Sequence, residues 1–297
     1  MDKIKYFGRP YWHRKYVALL EKTHSEKLKW EQVKELYCSV TGKWLDWNNP
    51  KDINEKLMWL NRYDTNPLKT KCADKYLVRE YVKEKGLEKI LIPLLGVWDN
   101  EEEIDFDSLP NRFVLKCNHG CGMNIICKDK SLLDVEKVKS QLATWMRLDY
   151  SSVLFETHYK DITRKIICEQ FIDEYADDAI VDYKFHCFEG NVHSCLVCYN
   201  RNEGLCLDGY SKDWERLDVI KDEFHLNQRW IERPKCLDEM MKTASELSKG
   251  FKYCRVDLYE IDGDVGFGEL TFTPAANMMT YYKQEFLDEL GNQIMLF

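Results

Sequence analysis

The stretch Tyr253-Cys-Arg-Val-Asp-Leu-Tyr-Glu-Ile-Asp-Gly-Asp-Val-Gly-Phe-Gly-Glu-Leu-Thr-Phe272 reads as two β-strands, 253–261 and 265–272, joined at Asp262-Gly263. Strand alternation puts Arg255 and Asp257 on one face of the first strand, and Glu269 and Thr271 on one face of the second. Whether the two pairs meet depends on the turn. A two-residue turn pairs Ile261 with Asp264 and leaves Asp257 facing away from Glu269; a three-residue loop sets Asp257 opposite Glu269 and Arg255 opposite Thr271. Turn preference favours the first register. The second would bring two carboxylates together, which repel unless a cation separates them, and would imply Mg²⁺ bridging to phosphate oxygens.

Just upstream, a helix from about Cys236 to Lys249 stops at Gly250, and strands are expected at 165–171, 181–189 and 192–199. In Val181-Asp-Tyr-Lys-Phe-His-Cys-Phe-Glu-Gly190, Asp182, Lys184 and His186 share one face, while Val181, Tyr183, Phe185 and Cys187 share the other. The bland reading is a half-exposed strand with an ordinary wet side. Further out, strand Arg112–Cys117, a loop over 118–123 and strand Asn124–Lys128 form a hairpin, after which Ser131 caps a helix reaching about Leu148. Lys116 ends an apolar strand before the loop that holds Gly120 and Gly122, a combination able to bring an ammonium and backbone N–H groups around a polyphosphate. An edge lysine at a hairpin tip is the competing explanation.

A helix is expected from Asp74 to Gly86, with Lys75 near its start, followed by a strand-like run from Ile90 to Trp98. The acidic stretch Asp99–Asp107 is the best linker candidate in the first half. The first 70 residues read as helix and loop: Leu28, Trp30, Val33, Leu36, Tyr37 and Val40 recur at helical spacing before Gly42, and Ile53, Leu57, Met58 and Leu60 mark a second helix. Trp44, Trp47 and Trp59 could stack on a sugar or simply belong to a core or interface. The whole reads as α+β with mainly antiparallel strands.

Composition narrows the function. The chain has 297 residues and a net charge of −8, which argues against broad binding of a nucleic-acid backbone. The longest apolar run, Ile90 to Trp98, is far short of the roughly 20 residues that cross a bilayer. No secretory pattern is visible at the N-terminus, so the expected location is the cytoplasm. The 12 cysteines show no framework spacing and are expected to be reduced core residues. Cys195 and Cys198 suggest a zinc site, but residues three apart on a strand point to opposite faces. No Gly-x-x-x-x-Gly-Lys-Ser/Thr sequence occurs, and the glycines at 263, 266 and 268 do not open a helix as a dinucleotide fingerprint would.

Taken in order, these segments resemble an ATP-grasp enzyme. They comprise Asp74-Lys75, the strand lysine before the glycine loop, the hinge Ile166-Ile-Cys-Glu-Gln-Phe-Ile172, the Asp-Tyr-Lys strand, and Arg-x-Asp followed by Glu-x-Thr. Asn54-Glu-Lys-Leu-Met-Trp-Leu60 and Leu109-Pro-Asn-Arg-Phe-Val-Leu-Lys-Cys-Asn-His-Gly120 are similar to the TupA-like branch associated with teichuronopeptide synthesis. The resemblance, spanning about residues 50–280, implies two α+β subdomains that grip ATP between antiparallel sheets. It divides the chain into a helical extension (1–70), a pre-grasp segment (71–110), a small subdomain with the glycine loop (111–172) and a C-terminal subdomain with the metal site (173–297).

The resemblance also implies roles. Lys75 and Lys116 would approach the ATP phosphates beneath Gly120 and Gly122, Glu169, Gln170, Phe171 and Ile172 would form the adenine hinge, and Asp182 would hold the ribose. Lys184 would lie near the γ-phosphate, Arg255 would stabilise the transferring phosphoryl group, and Asp257, Glu269 and Thr271 would bind Mg²⁺. Thr271 stands where many ATP-grasp proteins have asparagine. The implied activity is an ATP-dependent carboxylate–amine ligase that forms an amide through an acyl phosphate, on a uronic acid or amino acid for a bacterial capsular or surface polysaccharide. Its partners would be ATP, a small or sugar-linked carboxylate and an amine, with no nucleic acid and no membrane span. A glycosyltransferase of the same pathway and a non-catalytic nucleotide-binding scaffold are the alternatives.

Overall fold

The computed structural model describes residues 22–23, 25–172, 180–200, 204–224 and 231–296. Helix α1 (Glu26–Thr41) ends where Gly42, at φ 76°, takes the left-handed conformation and returns its N–H to the Cys38 carbonyl. Helices α2 (Ile53–Tyr63), α3 (Leu68–Ala73) and α4 (Val78–Glu84) follow, then strand β1 (Leu94–Trp98). Strands β2 (Phe113–Cys117) and β3 (Asn124–Cys127), helix α5 (Val135–Arg147) and strand β4 (Ile166–Gln170) complete the first half. The second half holds β5 (Asp182–Phe188), β6 (Asn191–Tyr199), β7 (Cys206–Ser211), β8 (Arg216–Leu217), α6 (Leu237–Ser248), β9 (Cys254–Ile261), β10 (Asp264–Thr271) and α7 (Gln284–Asn292).

Two antiparallel sheets result. The smaller has the order β1-β4-β2-β3 and the larger β10-β9-β5-β6-β7-β8. Under the small sheet, Val138 and Leu142 of α5 pack against Phe113, Leu115, Cys117, Ile166 and Cys168. One face of the large sheet packs Phe185, Cys187, Val256 and Leu258 against Met240, Ala244 and Leu247 of α6 and Val78 and Val82 of α4. The other face carries Leu196, Cys198 and Leu207 against α2 and α7, through Ile53, Leu57, Phe286 and Leu290. Cys195 and Cys198 therefore lie in different cores, as strand alternation requires, and none of the 12 cysteines is in a disulfide. No described helix is long and apolar enough to cross a membrane.

Several expectations shift locally. The α5 cap is Asp134, whose carboxylate accepts from Lys137 N–H at 3.0 Å, because Ser131 is held in an earlier turn by N–H and hydroxyl bonds to Asp129. Asp74 does not begin a helix directly: its carboxylate caps a turn through Tyr76 and Leu77 N–H, and α4 starts at Val78. Strand β1 begins only at Leu94, after Pro93, while Ile90 closes a 3-10 turn. The acidic stretch after β1 is no free linker, since Ile104 and Phe106 are buried in the small-sheet core. Strands β7 and β8 and helices α3 and α7 were not expected from the sequence.

Candidate active site

The register of β9 and β10 combines both sequence alternatives. Ile261 pairs with Asp264 across a two-residue turn, yet Glu269 pairs with Asp257 and Thr271 with Arg255. A one-residue bulge between Phe267 and Glu269 makes the change. Gly268 occupies it because a Cβ there would stand 2.8 Å from the Asp257 carbonyl oxygen. On the other side of β9, β5 sets Lys184 opposite Asp257 and His186 opposite Arg255. Three strands thus place two rows side by side: Lys184, Asp257 and Glu269 in one, His186, Arg255 and Thr271 in the other.

The side chains interlock. Arg255 grips Asp257 with two bonds of 2.7 Å and donates to the Thr271 hydroxyl at 3.2 Å. Lys184 joins Asp257 and also reaches Asp182 at 3.2 Å. Thr271 donates to Glu269 at 3.3 Å, and Glu269 lies 3.7 Å from Lys75 and 3.8 Å from Arg255. Burial alone would raise the Glu269 carboxyl, but Lys75, Lys184 and Arg255 outweigh it and hold the group below its ordinary range. Burial would likewise discharge Lys184, yet Asp182 and Asp257 keep it firmly protonated. His186 closes the row as a buried neutral imidazole, its two nitrogens bonded to the Tyr253 and Tyr282 hydroxyls at 2.8 and 2.7 Å.

The small sheet faces this lattice across a cleft lined by Lys75, Arg79, Lys116, Glu169, Gly268 and Glu269, among others. Lys116 and Arg79 hold the two oxygens of Glu169 at 2.5 and 3.2 Å. Lys75 donates to the Gly120 carbonyl at 2.7 Å and so tethers the glycine loop. Gly120 meets the Tyr150 ring, 2.5 Å from where a Cβ would stand, and Gly122 needs its φ of 73°. After the hinge glutamate, Gln170 donates its N–H to Pro93, Phe171 lies under the Arg112 guanidinium, and Phe171 and Ile172 are buried.

Of the residues singled out by sequence, Lys75, Lys116, Glu169 and Glu269 line this cleft, and Arg255, Thr271, Asp257 and Lys184 form the charged network behind Glu269, whereas no contact joins Gly122, Gln170, Phe171 or Ile172 to it among the described interactions. Arg79 was missed as a site residue, although its position one helical turn beyond Lys75 was the available signal. Glu156 was missed as well, and nothing in its local pattern marked it. Among the described residues, no group of three or more His, Cys, Asp or Glu side chains is gathered as a metal site. The candidate set is two carboxylates and a hydroxyl, hard oxygen donors of the kind Mg²⁺ takes.

Residues 55–295 match the family model described as TupA-like ATPgrasp. The chain belongs to the TupA-like ATP-grasp family. No curated protein matches it. Among solved structures it is similar to D-alanine–D-alanine ligase from Bacillus anthracis complexed with ATP, at 17% identity and a TM-score of 0.47, covering 75% of this chain and 64% of the ligase. It is also similar to D-cycloserine synthetase DcsG (16% identity, TM-score 0.43, 80% and 77% covered) and to the ATP-grasp ligase PsnB with its precursor peptide and AMPPNP (14%, 0.41, 81% and 65%). The chain thus spans just under two thirds of the length of the Bacillus ligase.

Proposed function

We propose that the protein is an ATP-dependent carboxylate–amine ligase that makes an amide bond on a uronic acid or amino acid during bacterial capsular or surface polysaccharide synthesis. One observation carries the chemistry: the bulge at Gly268 sets Glu269 opposite Asp257 within a ring of Lys75, Lys184 and Arg255. Family membership supports the ligase class, and the TupA-like branch supports the polysaccharide setting. In this reading, residues 111–172 form the small subdomain with the glycine loop and 173–297 the subdomain with the metal site.

A carboxylate is a poor acyl donor to an amine. Transfer of the γ-phosphoryl group from ATP to a carboxylate oxygen releases ADP and gives an acyl phosphate. Attack of the amine on its carbonyl then expels phosphate and leaves the amide. The protein's part is positioning and charge neutralisation. Lys75 and Lys116 hold the phosphates under Gly120 and Gly122, and both lysines already point into the cleft from the side of the small sheet. Glu169 to Ile172 border the adenine, with the Glu169 side chain turned back to Lys116 and Arg79. Asp182 takes the ribose, Lys184 the γ-phosphate, and Arg255 the charge that builds on the transferring group. Asp257, Glu269 and Thr271 would hold Mg²⁺, which supplies further neutralisation of phosphate oxygens. Such an ion would share Asp257 with Arg255, which bonds both of its oxygens, and with Lys184, which bonds one of them.

The test compares thermal stabilisation by Mg-ATP, Mg-ADP and a panel of Mg-bound nucleotide sugars, in the native protein and in Glu269→Ala. Stabilisation by adenine nucleotides that weakens in the variant is expected, followed by ADP release and hydroxamate formation when carboxylates are screened with hydroxylamine. Stabilisation by nucleotide sugars alone would replace this reading with a glycosyltransferase.

A further inference from the structure

Glu156 follows Phe155, whose φ is 55°, and leads into the 3-10 turn Thr157–Tyr159. Helix α2 ties this segment down: Asn61 donates to the Phe155 carbonyl at 2.8 Å and accepts from both the N–H and the hydroxyl of Thr157 at 3.0 Å. The same helix anchors the chain leaving β10, where Asn54 accepts from Met279 N–H at 3.0 Å. Between these anchors the Thr273 hydroxyl donates to Glu156. A carboxylate only 6% exposed is thereby held just beyond the end of the strand that carries Glu269. Tyr150 and Tyr159 meet edge to face at 5.0 Å, and Tyr150 also lies against Gly120. The Tyr159 N–H returns to the Glu156 carbonyl at 3.2 Å, so Tyr159 follows the carboxylate by one 3-10 turn, and burial and then the Glu156 charge raise both tyrosine hydroxyls well above their ordinary range.

The candidate-site carboxylates of the two sheets have cations. Asp182 and Asp257 share Lys184, Asp257 also holds Arg255, Glu169 holds Lys116 and Arg79, and Glu269 lies near Lys75 and Arg255. Among the described ion pairs, none includes Glu156. A buried carboxylate without a cation is costly to ionise. Burial, with a smaller contribution from the Glu269 charge, pushes the Glu156 carboxyl up to about 7, against the pull of the Thr273 hydroxyl and of the Lys75 charge. A small cation entering from outside would remove that cost, and aromatic rings beside the carboxylate suit an ammonium group.

We propose that Glu156, with Thr273 and the rings of Tyr150 and Tyr159, forms the subsite that receives the ammonium group of the acceptor amine and takes one proton from it, since only the free amine can attack the acyl phosphate. The inference rests on the ligase reading and extends it to the second substrate. It gives α2 a role in the site, because its Asn54 and Asn61 hold the two segments that meet at Glu156.

The test uses the full chain with Mg-ATP and a panel of uronic and amino-acid carboxylates, at mildly alkaline pH. Each is offered hydroxylamine, which is uncharged, and separately ammonium, ethanolamine or lysine, which are cationic. In Glu156→Gln the ratio of amide to hydroxamate should fall by roughly 100-fold, with a raised KM for the amine, because a charge-assisted contact is lost. An unchanged ratio, or an equal loss of both products, overturns the subsite. Thr273→Val keeps the charge and carries the test if Glu156→Gln does not fold. A KM for the amine raised several-fold, with hydroxamate still formed, supports the subsite, and an unchanged KM refutes it. A native protein that releases no ADP with any carboxylate and hydroxylamine removes the ligase reading itself, a result distinct from a failure confined to the cationic nucleophiles.

Discussion

The two walls of the cleft hold their charges differently. On the large sheet, Lys184, Arg255, Asp257, Glu269 and Thr271 stand on three adjacent strands, and the Asp257 side chain is 1% exposed. On the side of the small sheet, the Glu169 cluster draws Lys116 from β2 and Arg79 from α4, with side chains 20% and 13% exposed. Backbone register fixes the first set, while independent elements meeting at one carboxylate make the second. Under the proposed function, the strand lattice would serve a reaction that needs charges in one geometry, and the looser cluster a nucleotide that must enter and leave.

Removing the central carboxylate of each set should expose this contrast most sharply. Asp257→Ala leaves Arg255 and Lys184 buried without their partner and should cost about 3–5 kcal/mol in urea unfolding. Glu169→Ala should cost about 1 kcal/mol, since water can reach Lys116 and Arg79. Equal losses would show that both walls are equally rigid. Next in size, Gly268→Ala drives a methyl against the Asp257 carbonyl and should destabilise by roughly 1–3 kcal/mol. It should also abolish stabilisation by Mg-ATP, because relief of the clash shifts Glu269 out of register. Retained nucleotide stabilisation in a folded Gly268→Ala protein would mean that the bulge does not set the site.

A pH series separates the walls in another way. Burial, reinforced by the Lys69 charge, lowers His158 from 6.5 to about 3, and its ring packs 5.8 Å from Phe272 at the end of β10. The folded protein then keeps His158 neutral while the unfolded chain takes up a proton below 6.5. Stability should accordingly fall as pH drops from 6.5 toward 3, by up to about 1.4 kcal/mol per pH unit for this group. His158→Gln should flatten that acid limb, as read from melting temperatures. The smallest effect is that of Ser131 before α5 under the small sheet: Ser131→Ala should cost much less than the about 1 kcal/mol of Asp134→Ala, because the cap bond belongs to Asp134.

Much of the candidate site is legible in the sequence. Period-2 alternation puts Asp182, Lys184 and His186 on one face of their strand and Arg255 with Asp257 on one face of theirs, and the pairing of the two strands brings those faces to the same side of the sheet. The lysine before the glycine loop and the glutamate of the hinge strand were also legible. The meeting of Glu269 with Asp257 was not. A local rule for the Asp262-Gly263 turn chose its length correctly and still gave the wrong partner, because the bulge lies four residues beyond that turn's last paired residue and its glycine is required by a carbonyl on the neighbouring strand. Glu156 and Thr273 were invisible for a related reason. They are 117 positions apart, and each looks like an ordinary loop residue until α2 brings them together.

Sequence by itself determined the class of elements, the polar faces of the strands and the stock of cations and carboxylates, since these depend on periodicity and residue chemistry within a few positions. Only the tertiary structure decided which charges meet. Sheet register, a one-residue bulge and helix anchoring act between distant segments, and a shift of one residue turns a strand's whole polar face away from its partner.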